Sequence, residues 1–224
     1  MERVFCLALG YVFGLFQTGY LYGRAHGIDI RSQGSGNSGT TNALRVMGKK
    51  AGLIVFAGDF FKTLIPCLLV RFFVGDGELY THLLVLYTGF GVTLGHNFPF
   101  YLKFKGGKGI AAMAGLLAAS DMRIALICLA VFIVTVVVTR YVSLGSLFVA
   151  ALFFILTVYF TISGSYGTAG GVDMSEMASM NTGQIRIECC VAAGVISCMA
   201  FWRHRANIGR LIHGTENKLG AKKA

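Results

Sequence analysis

Charged residues are scarce in this chain, and proline occurs only twice. Asp, Glu, Lys and Arg make up 13% of the 224 residues, against about 25% in a typical soluble domain. Hydrophobic residues make up 55%. The apolar runs are much longer than the strands of a membrane β-barrel, which alternate over about 10 residues. We therefore predict an all-α integral membrane protein with one membrane-embedded domain over residues 1–224.

Several common chemical motifs are also missing. The six cysteines lie in apolar stretches without C-x-x-C spacing or nearby histidines, so no metal or other cofactor is predicted. The G-x-G-x-x-G of residues 34–39 follows a membrane span instead of a strand, which excludes the dinucleotide-binding fold. Gly109 follows Lys108 where an ATP-binding loop requires Ser or Thr. No Ser-His-Asp arrangement is present.

The apolar stretches are long enough for about seven membrane helices, since a bilayer core needs about 20 helical residues. The predicted spans are 4–23, 51–74, 79–95, 109–120, 122–139, 144–163 and 185–202. The fourth is too short to cross unaided, and five or six spans are the alternatives. Segment 164–184, rich in Gly, Ser and Met, is predicted to be a mobile outer loop.

Loop charge orients these spans. Fifteen of the 20 basic residues lie in segments 24–50, 95–109 and 139–143 and in the tail after residue 202. The positive-inside rule then places the amino terminus outside and the carboxyl terminus in the cytoplasm. The net charge of +10 is interpreted as this bias plus an anionic ligand or lipid, and no nucleic-acid partner is predicted.

Three polar, Gly-rich segments are predicted to meet on the cytoplasmic side: residues 31–45, 95–110 and 202–218. Each combines Lys, Arg or His with Gly, Ser, Thr or Asn. Glycines let backbone N–H groups approach an anion, and the side chains add donors and positive charge. Taken singly, each has a plainer alternative: a capped turn, a solvated loop, and a basic helix on anionic lipid, respectively.

Asp59 and Lys62 form a pair of charges at i, i+3 inside the second predicted span. Charged residues in a membrane span are candidates for function. A mutual ion pair that stabilises the bundle is the alternative, and the sequence leaves both open.

The three segments together resemble the bacterial membrane glycerol-3-phosphate acyltransferases that use acyl phosphate. Residues 34–45 (GSGNSGTTNALR), 95–109 (GHNFPFYLKFKGGKG) and 204–216 (HRANIGRLIHGTE) match the three motifs of that family in order. Residues 58–62 and 140–143 match its shorter G-D-x-x-K and R-x-x-S signatures. One departure is Ala112, where the family often has Thr.

The resemblance implies an enzyme of the bacterial inner membrane that acts at the cytoplasmic face. It would transfer a fatty acyl group from acyl phosphate to glycerol 3-phosphate, giving lysophosphatidate and inorganic phosphate, the first acylation of phospholipid synthesis. A transporter for a phosphate-bearing solute is the rival interpretation, although the chain shows no internal repeat. Membrane lipid is the remaining expected partner.

On this resemblance we assign site residues to two groups of substrate contacts. Glycerol 3-phosphate is expected to contact Arg45, Lys105, His204 and Asn207. The acyl-phosphate head is expected to contact Gly36, Asn37, Thr41, Asn42, Lys108 and Ser143. Gly106, Gly107 and Glu216 complete the predicted binding residues. Ser35 and His96 are expected to orient the reacting groups, which makes Ser35, His96 and His204 the catalytic candidates.

The predicted chemistry is direct transfer, because acyl phosphate is already an activated anhydride and requires no covalent enzyme intermediate. The acceptor of the hydroxyl proton is left open between a histidine, His96 or His204, and the leaving phosphate itself. The absence of an acid to support either histidine favours the phosphate.

Overall fold

The computed structural model describes residues 1–75, 79–166 and 180–220, and within them all regular structure is helical. The predicted outer loop 164–184 falls largely outside the described residues. Two 3₁₀ turns, Ile30–Ser32 and Phe100–Leu102, lie between the α-helices. The α-helices are α1 (Glu2–Gly14), α2 (Thr18–Ala25), α3 (Thr40–Val74), α4 (Leu79–Asn97), α5 (Ile110–Ser120), α6 (Met122–Thr139), α7 (Val142–Ile162), α8 (Met180–Arg203) and α9 (Arg205–Ile212).

The predicted all-α membrane fold is confirmed. Among the described residues, five helical segments are long and apolar enough to cross a membrane, and α5, with 11 residues, is shorter than a span, as expected. Helix α4 is enclosed by its neighbours, and most of its side chains are buried. Each of the seven predicted spans corresponds to helix in the structure.

The first predicted span, 4–23, differs from the structure because it is broken in two. Gln17 has non-helical backbone angles between α1 and α2. Its buried side-chain amide donates to the carbonyl oxygens of Gly14, Gly95 and His96 at 3.0–3.3 Å. The break therefore has partners for its polar groups inside the bundle.

Helices α1 and α4 pack backbone against backbone. A Cβ on Gly10 would lie 2.0 Å from the Thr88 carbonyl oxygen, and one on Gly91 would lie 2.1 Å from that of Leu7. Only glycine fits at such contacts, which are common between membrane helices. The close packing holds α4, and with it His96, against the amino-terminal helix.

Helix α3 starts earlier than the predicted span at residue 51. Gly48 has φ +86° and ψ −177°, so the helix is kinked there. The kink separates a short polar piece beginning at Thr40 from the membrane piece. This geometry places Asn42 and Arg45 at the end of the bundle where the site lies.

Candidate active site

Three helix amino termini converge on one cleft. The cleft encloses about 320 Å³, and its wall includes Gly39–Thr41 at the start of α3, Gly109–Ala111 at the start of α5 and Val142–Ser143 at the start of α7. A helix amino terminus presents unpaired backbone N–H groups and a partial positive charge. Such a terminus is suited to phosphate, and here three of them act on the same volume.

The cleft has one polar and one apolar side. Phe56, Phe132 and Val136 line the apolar side. Ser35, Asn37, Lys108, Asn207 and Arg210 are shared with a more open, polar vestibule of about 660 Å³. A molecule with an anionic head and a fatty chain matches this division.

The structure brings most of the predicted residues together. The cleft is lined by Ser35, Asn37, Thr41, Asn42, Arg45, His96, Lys108, Ser143, His204, Asn207 and Glu216. Gly36, Lys105 and Gly106 line the vestibule instead, and Gly107 lies against the ring of His96. Arg45 and Lys105 form no ion pair within the described residues, so both cations are available to an anion. Ala112 is fully buried and is not among the residues that line the cleft.

The first polar segment is shaped by Asn42, which is 2% exposed. Its amide nitrogen donates to the carbonyl oxygens of Ile30 (3.1 Å) and Gln33 (3.0 Å), and its oxygen accepts from the Ser35 N–H at 2.9 Å. Asn37 similarly accepts from the Gly39 N–H at 2.9 Å. Asn42 therefore organises the loop while also lining the cleft; it does not cap α3, whose N-cap is Gly39.

Two buried hydroxyls face this cleft without a partner. Thr40 Oγ1 and Ser143 Oγ form no hydrogen bond with any described residue, although both residues line the cleft. An unpaired buried hydroxyl costs about 1–3 kcal/mol. Their position beside the helix amino termini makes them suitable donors to a phosphate.

The glycines of the second segment are held from both sides. The Gly107 N–H donates to the His96 carbonyl oxygen at 3.1 Å, and Arg203 donates to the carbonyl oxygens of Gly106 and Gly107 at 2.6–3.0 Å. A Cβ on Gly107 would lie 2.0 Å from His96 Nε2. Arg203 was not among the predicted site residues, and its role here is to fix this loop.

The second and third segments meet through a chain of hydrogen bonds. Lys108 Nζ donates to the side-chain oxygen of Asn207. The Asn207 amide donates to Glu216 at 2.9 Å, and Arg210 Nε donates to the other Glu216 oxygen at 2.8 Å. The Glu216 side chain is 6% exposed, and each of its oxygens accepts one of these hydrogen bonds. Glu216 therefore holds Asn207 and Arg210 while it also lines the cleft, and its expected contact with substrate stays a prediction.

Lys108 and His204, two titratable side chains of the cleft, differ in charge at neutral pH. Burial lowers the pKa of Lys108 to about 8, and Glu216 opposes that shift. Burial, with Lys108 nearby, lowers the pKa of His204 to about 4. Its Nδ1 donates to the Ala200 carbonyl oxygen at 2.8 Å, so at neutral pH Nε2 is an unprotonated acceptor.

The carboxyl-terminal tail closes one side of the cleft. The Leu219 N–H donates to the Arg140 carbonyl oxygen at 2.7 Å, and Arg140 Nη2 donates to the Leu219 carbonyl oxygen at 2.8 Å. This contact ties the tail to the turn between α6 and α7. No group of three or more potential metal ligands occurs within the described residues.

These features define a multi-pass helical membrane protein with a cationic, half-apolar cleft at one end of the bundle. A family model described as glycerol-3-phosphate acyltransferase matches residues 4–214. The chain belongs to the glycerol-3-phosphate acyltransferase family.

The similarity to known proteins extends over nearly the whole length of this chain. A glycerol-3-phosphate acyltransferase of Thermoanaerobacter sp. (strain X514) is 36% identical over 223 residues, covering 99% of this chain and 98% of its own. One of Clostridioides difficile (strain 630) is 38% identical over 219 residues, covering 96% and 94%. The crystal structure of PlsY (YgiH), an integral membrane glycerol 3-phosphate acyltransferase, is similar in its glycerol 3-phosphate form. Its TM-score is 0.79 at 31% identity, with 98% of this chain and 96% of that one covered.

Proposed function

We propose that this acyltransferase takes its acyl group from acyl phosphate and transfers it to sn-glycerol 3-phosphate. The products are lysophosphatidate and inorganic phosphate. The observation that carries this proposal is the convergence of the α3, α5 and α7 amino termini on a cleft with an apolar wall. A phosphate bonded directly to an acyl chain fits that arrangement. PlsY has also been solved in a lysophosphatidic acid form, with a TM-score of 0.76 to this chain.

The two substrates occupy neighbouring volumes in this proposal. The acyl-phosphate head lies among Thr41, Lys108 and Ser143, and its chain follows the apolar side. Glycerol 3-phosphate enters through the vestibule, where Lys105 and Asn207 lie, and reaches Arg45 and His204 in the cleft. Ser35 lines both volumes and so stands where the two reactants meet.

The reaction follows from this placement. A glycerol hydroxyl oxygen forms a bond to the acyl carbonyl carbon, and the bond from that carbon to the phosphate oxygen breaks. Holding both reactants in one cleft removes much of the entropic cost of their encounter. The hydroxyl proton goes to the leaving phosphate. His204 is the weaker candidate for the acceptor of that proton, because a group with a pKa of about 4 is a poor base at neutral pH.

We place the cleft at the cytoplasmic face of the bacterial inner membrane, with the amino terminus outside. The basic residues Arg45, Lys105, Lys108 and Arg210 all lie at the cleft end of the bundle, which supports this orientation. Accessibility labelling of a cysteine placed at exposed Arg205 tests it. Labelling of this cysteine from the outside of intact cells would contradict the proposed orientation.

Purified protein tests the donor. Phosphate release that requires both acyl phosphate and glycerol 3-phosphate is the expected result. Transfer from acyl-CoA or acyl carrier protein with no turnover of acyl phosphate would contradict the proposed donor and leave the family assignment intact. Vesicle uptake of glycerol 3-phosphate without acylation would support the rival transporter.

A further inference from the structure

A buried ion pair in the bundle contacts the ring of His96. Asp59 and Lys62 both lie in α3, and their side chains are 2% and 4% exposed. Lys62 Nζ is 2.8 Å from Asp59 Oδ1, 2.7 Å from the Phe16 carbonyl oxygen and 2.8 Å from His96 Nδ1. Thr18 donates to the same Asp59 oxygen at 3.2 Å. A purely stabilising ion pair does not account for the contact with His96.

The contacts of Lys62 favour one position for the proton on His96, even though Asp59 Oδ1 also lies 3.7 Å from His96 Nδ1. An ammonium has three N–H donors and no lone pair. The Asp59 carboxylate and the Phe16 carbonyl accept two of them, and the third points at His96 Nδ1. A neutral ring that accepts at Nδ1 is protonated at Nε2. A doubly protonated ring would place two buried cations beside one carboxylate, which is unfavourable.

The other ring nitrogen, Nε2, lies beside Gly107. His96 lines the cleft, and no hydrogen bond among the described residues uses its Nε2. Because a Cβ at position 107 would lie 2.0 Å from that nitrogen, only glycine leaves it uncovered. His204 has the opposite arrangement, since its Nδ1 faces the Ala200 carbonyl oxygen.

We propose that Asp59 and Lys62 are positioning residues that hold His96 as its Nε2–H tautomer. His96 is then a hydrogen-bond donor to the acyl carbonyl oxygen as negative charge develops there, and it is not the proton acceptor. A fixed donor of this kind is typically worth about 10²–10³-fold in kcat. The catalytic consequence rests on the proposed function, whereas the tautomer does not.

Nitrogen-15 NMR of histidine-labelled protein in nanodiscs at neutral pH tests the tautomer without substrate. The His96 signals are assigned by their loss in His96→Gln. The expected result is a protonated Nε2 and an unprotonated Nδ1 in the wild type, with a mixture of tautomers in Lys62→Met. A protonated Nδ1 in the wild type, or an unchanged spectrum in Lys62→Met, would overturn the proposal.

Kinetics test the consequence. Lys62→Met leaves the buried Asp59 unpaired, so Asp59→Asn/Lys62→Gln serves as a second variant that keeps an uncharged donor toward His96. We expect kcat to fall about 10²-fold in Lys62→Met and to recover at least tenfold in the double variant, with the KM for glycerol 3-phosphate little changed. Arg3→Met, which breaks the Arg3–Glu188 pair (2.7 Å) elsewhere in the bundle, is the control and should keep its kcat.

The outcomes separate the two proposals. Full kcat in Lys62→Met, or a double variant as impaired as Lys62→Met, would show that these residues do not act through His96. An Nε2–H tautomer in a protein that turns over acyl-CoA and not acyl phosphate would support the positioning role and refute only the proposed donor.

Discussion

The protonation of Lys108 gives a prediction that depends directly on the geometry of the cleft. Its pKa is lowered to about 8 by burial, and Glu216 opposes the shift. If the ammonium form binds the donor phosphate, kcat/KM for acyl phosphate is full below that pKa and falls as pH rises through it. His204, with a pKa of about 4, stays neutral throughout and contributes no change above pH 6.

The perturbation is Glu216→Gln, which removes the charge and keeps the size of the side chain. Loss of a nearby opposite charge lowers the pKa of a lysine by about one unit or more. At pH 7 the protonated fraction of Lys108 then falls from about nine-tenths to about one half, and at pH 6 it stays near nine-tenths. The variant should therefore lose about half its kcat/KM at pH 7 and little at pH 6.

The assay is the initial rate of phosphate release between pH 6 and pH 9, with subsaturating acyl phosphate and constant ionic strength. The matched control is Glu188→Gln, which removes a carboxylate that contacts Arg3 far from the cleft. An alkaline midpoint of Glu216→Gln equal to that of the wild type, or an equal shift in the control, would show that Glu216 does not set the protonation of Lys108.

Three further variants test separate parts of the site. Arg45→Ala should raise the KM for glycerol 3-phosphate at least tenfold, since it removes a cation without an ion-pair partner among the described residues; an unchanged KM would remove Arg45 from that pocket. Arg203→Met should lower kcat about tenfold or more, because the carbonyl groups of Gly106 and Gly107 lose their donor. Arg205→Met, at an exposed position, should keep its kcat. Equal kcat values in the two variants would show that Arg203 does not fix the glycine loop. Gly107→Ala should abolish turnover, because its Cβ would lie 2.0 Å from His96 Nε2. Gly209→Ala, with nothing within 4 Å, is its control, and full activity in Gly107→Ala would show that the loop tolerates a side chain.

The helical fold was largely predictable from sequence because apolar run lengths are matched to the thickness of a bilayer. The predicted spans all correspond to helix, but local breaks were missed. Gln17 interrupts the first span because distant carbonyls accept its amide hydrogens, and sequence does not reveal those partners. The second span was predicted to begin at residue 51, whereas α3 begins at Thr40 and continues through a kink at Gly48.

The sequence predicted which residues line the candidate site better than it predicted the contacts that each side chain makes. Motif residues such as Ser35, Lys108 and His204 do line one cleft, although their roles stay predictions. Glu216 and Asn42 line the cleft and also hold neighbouring protein groups, which the sequence did not indicate, and their contact with substrate stays a prediction. The role of Arg203 was not predicted, because its carbonyl partners lie 96 and 97 residues away in the chain.

The central claim is that the helix amino termini of α3, α5 and α7 bind the phosphate of the acyl donor. A structure with a non-hydrolysable acyl phosphonate bound tests it most directly. We expect phosphonate oxygens within hydrogen-bond distance of backbone N–H groups at Thr40 and Ile110 and of Ser143 Oγ, with the chain along Phe56 and Phe132. A phosphonate held in the vestibule beside Lys105, away from all three helix termini, would contradict it.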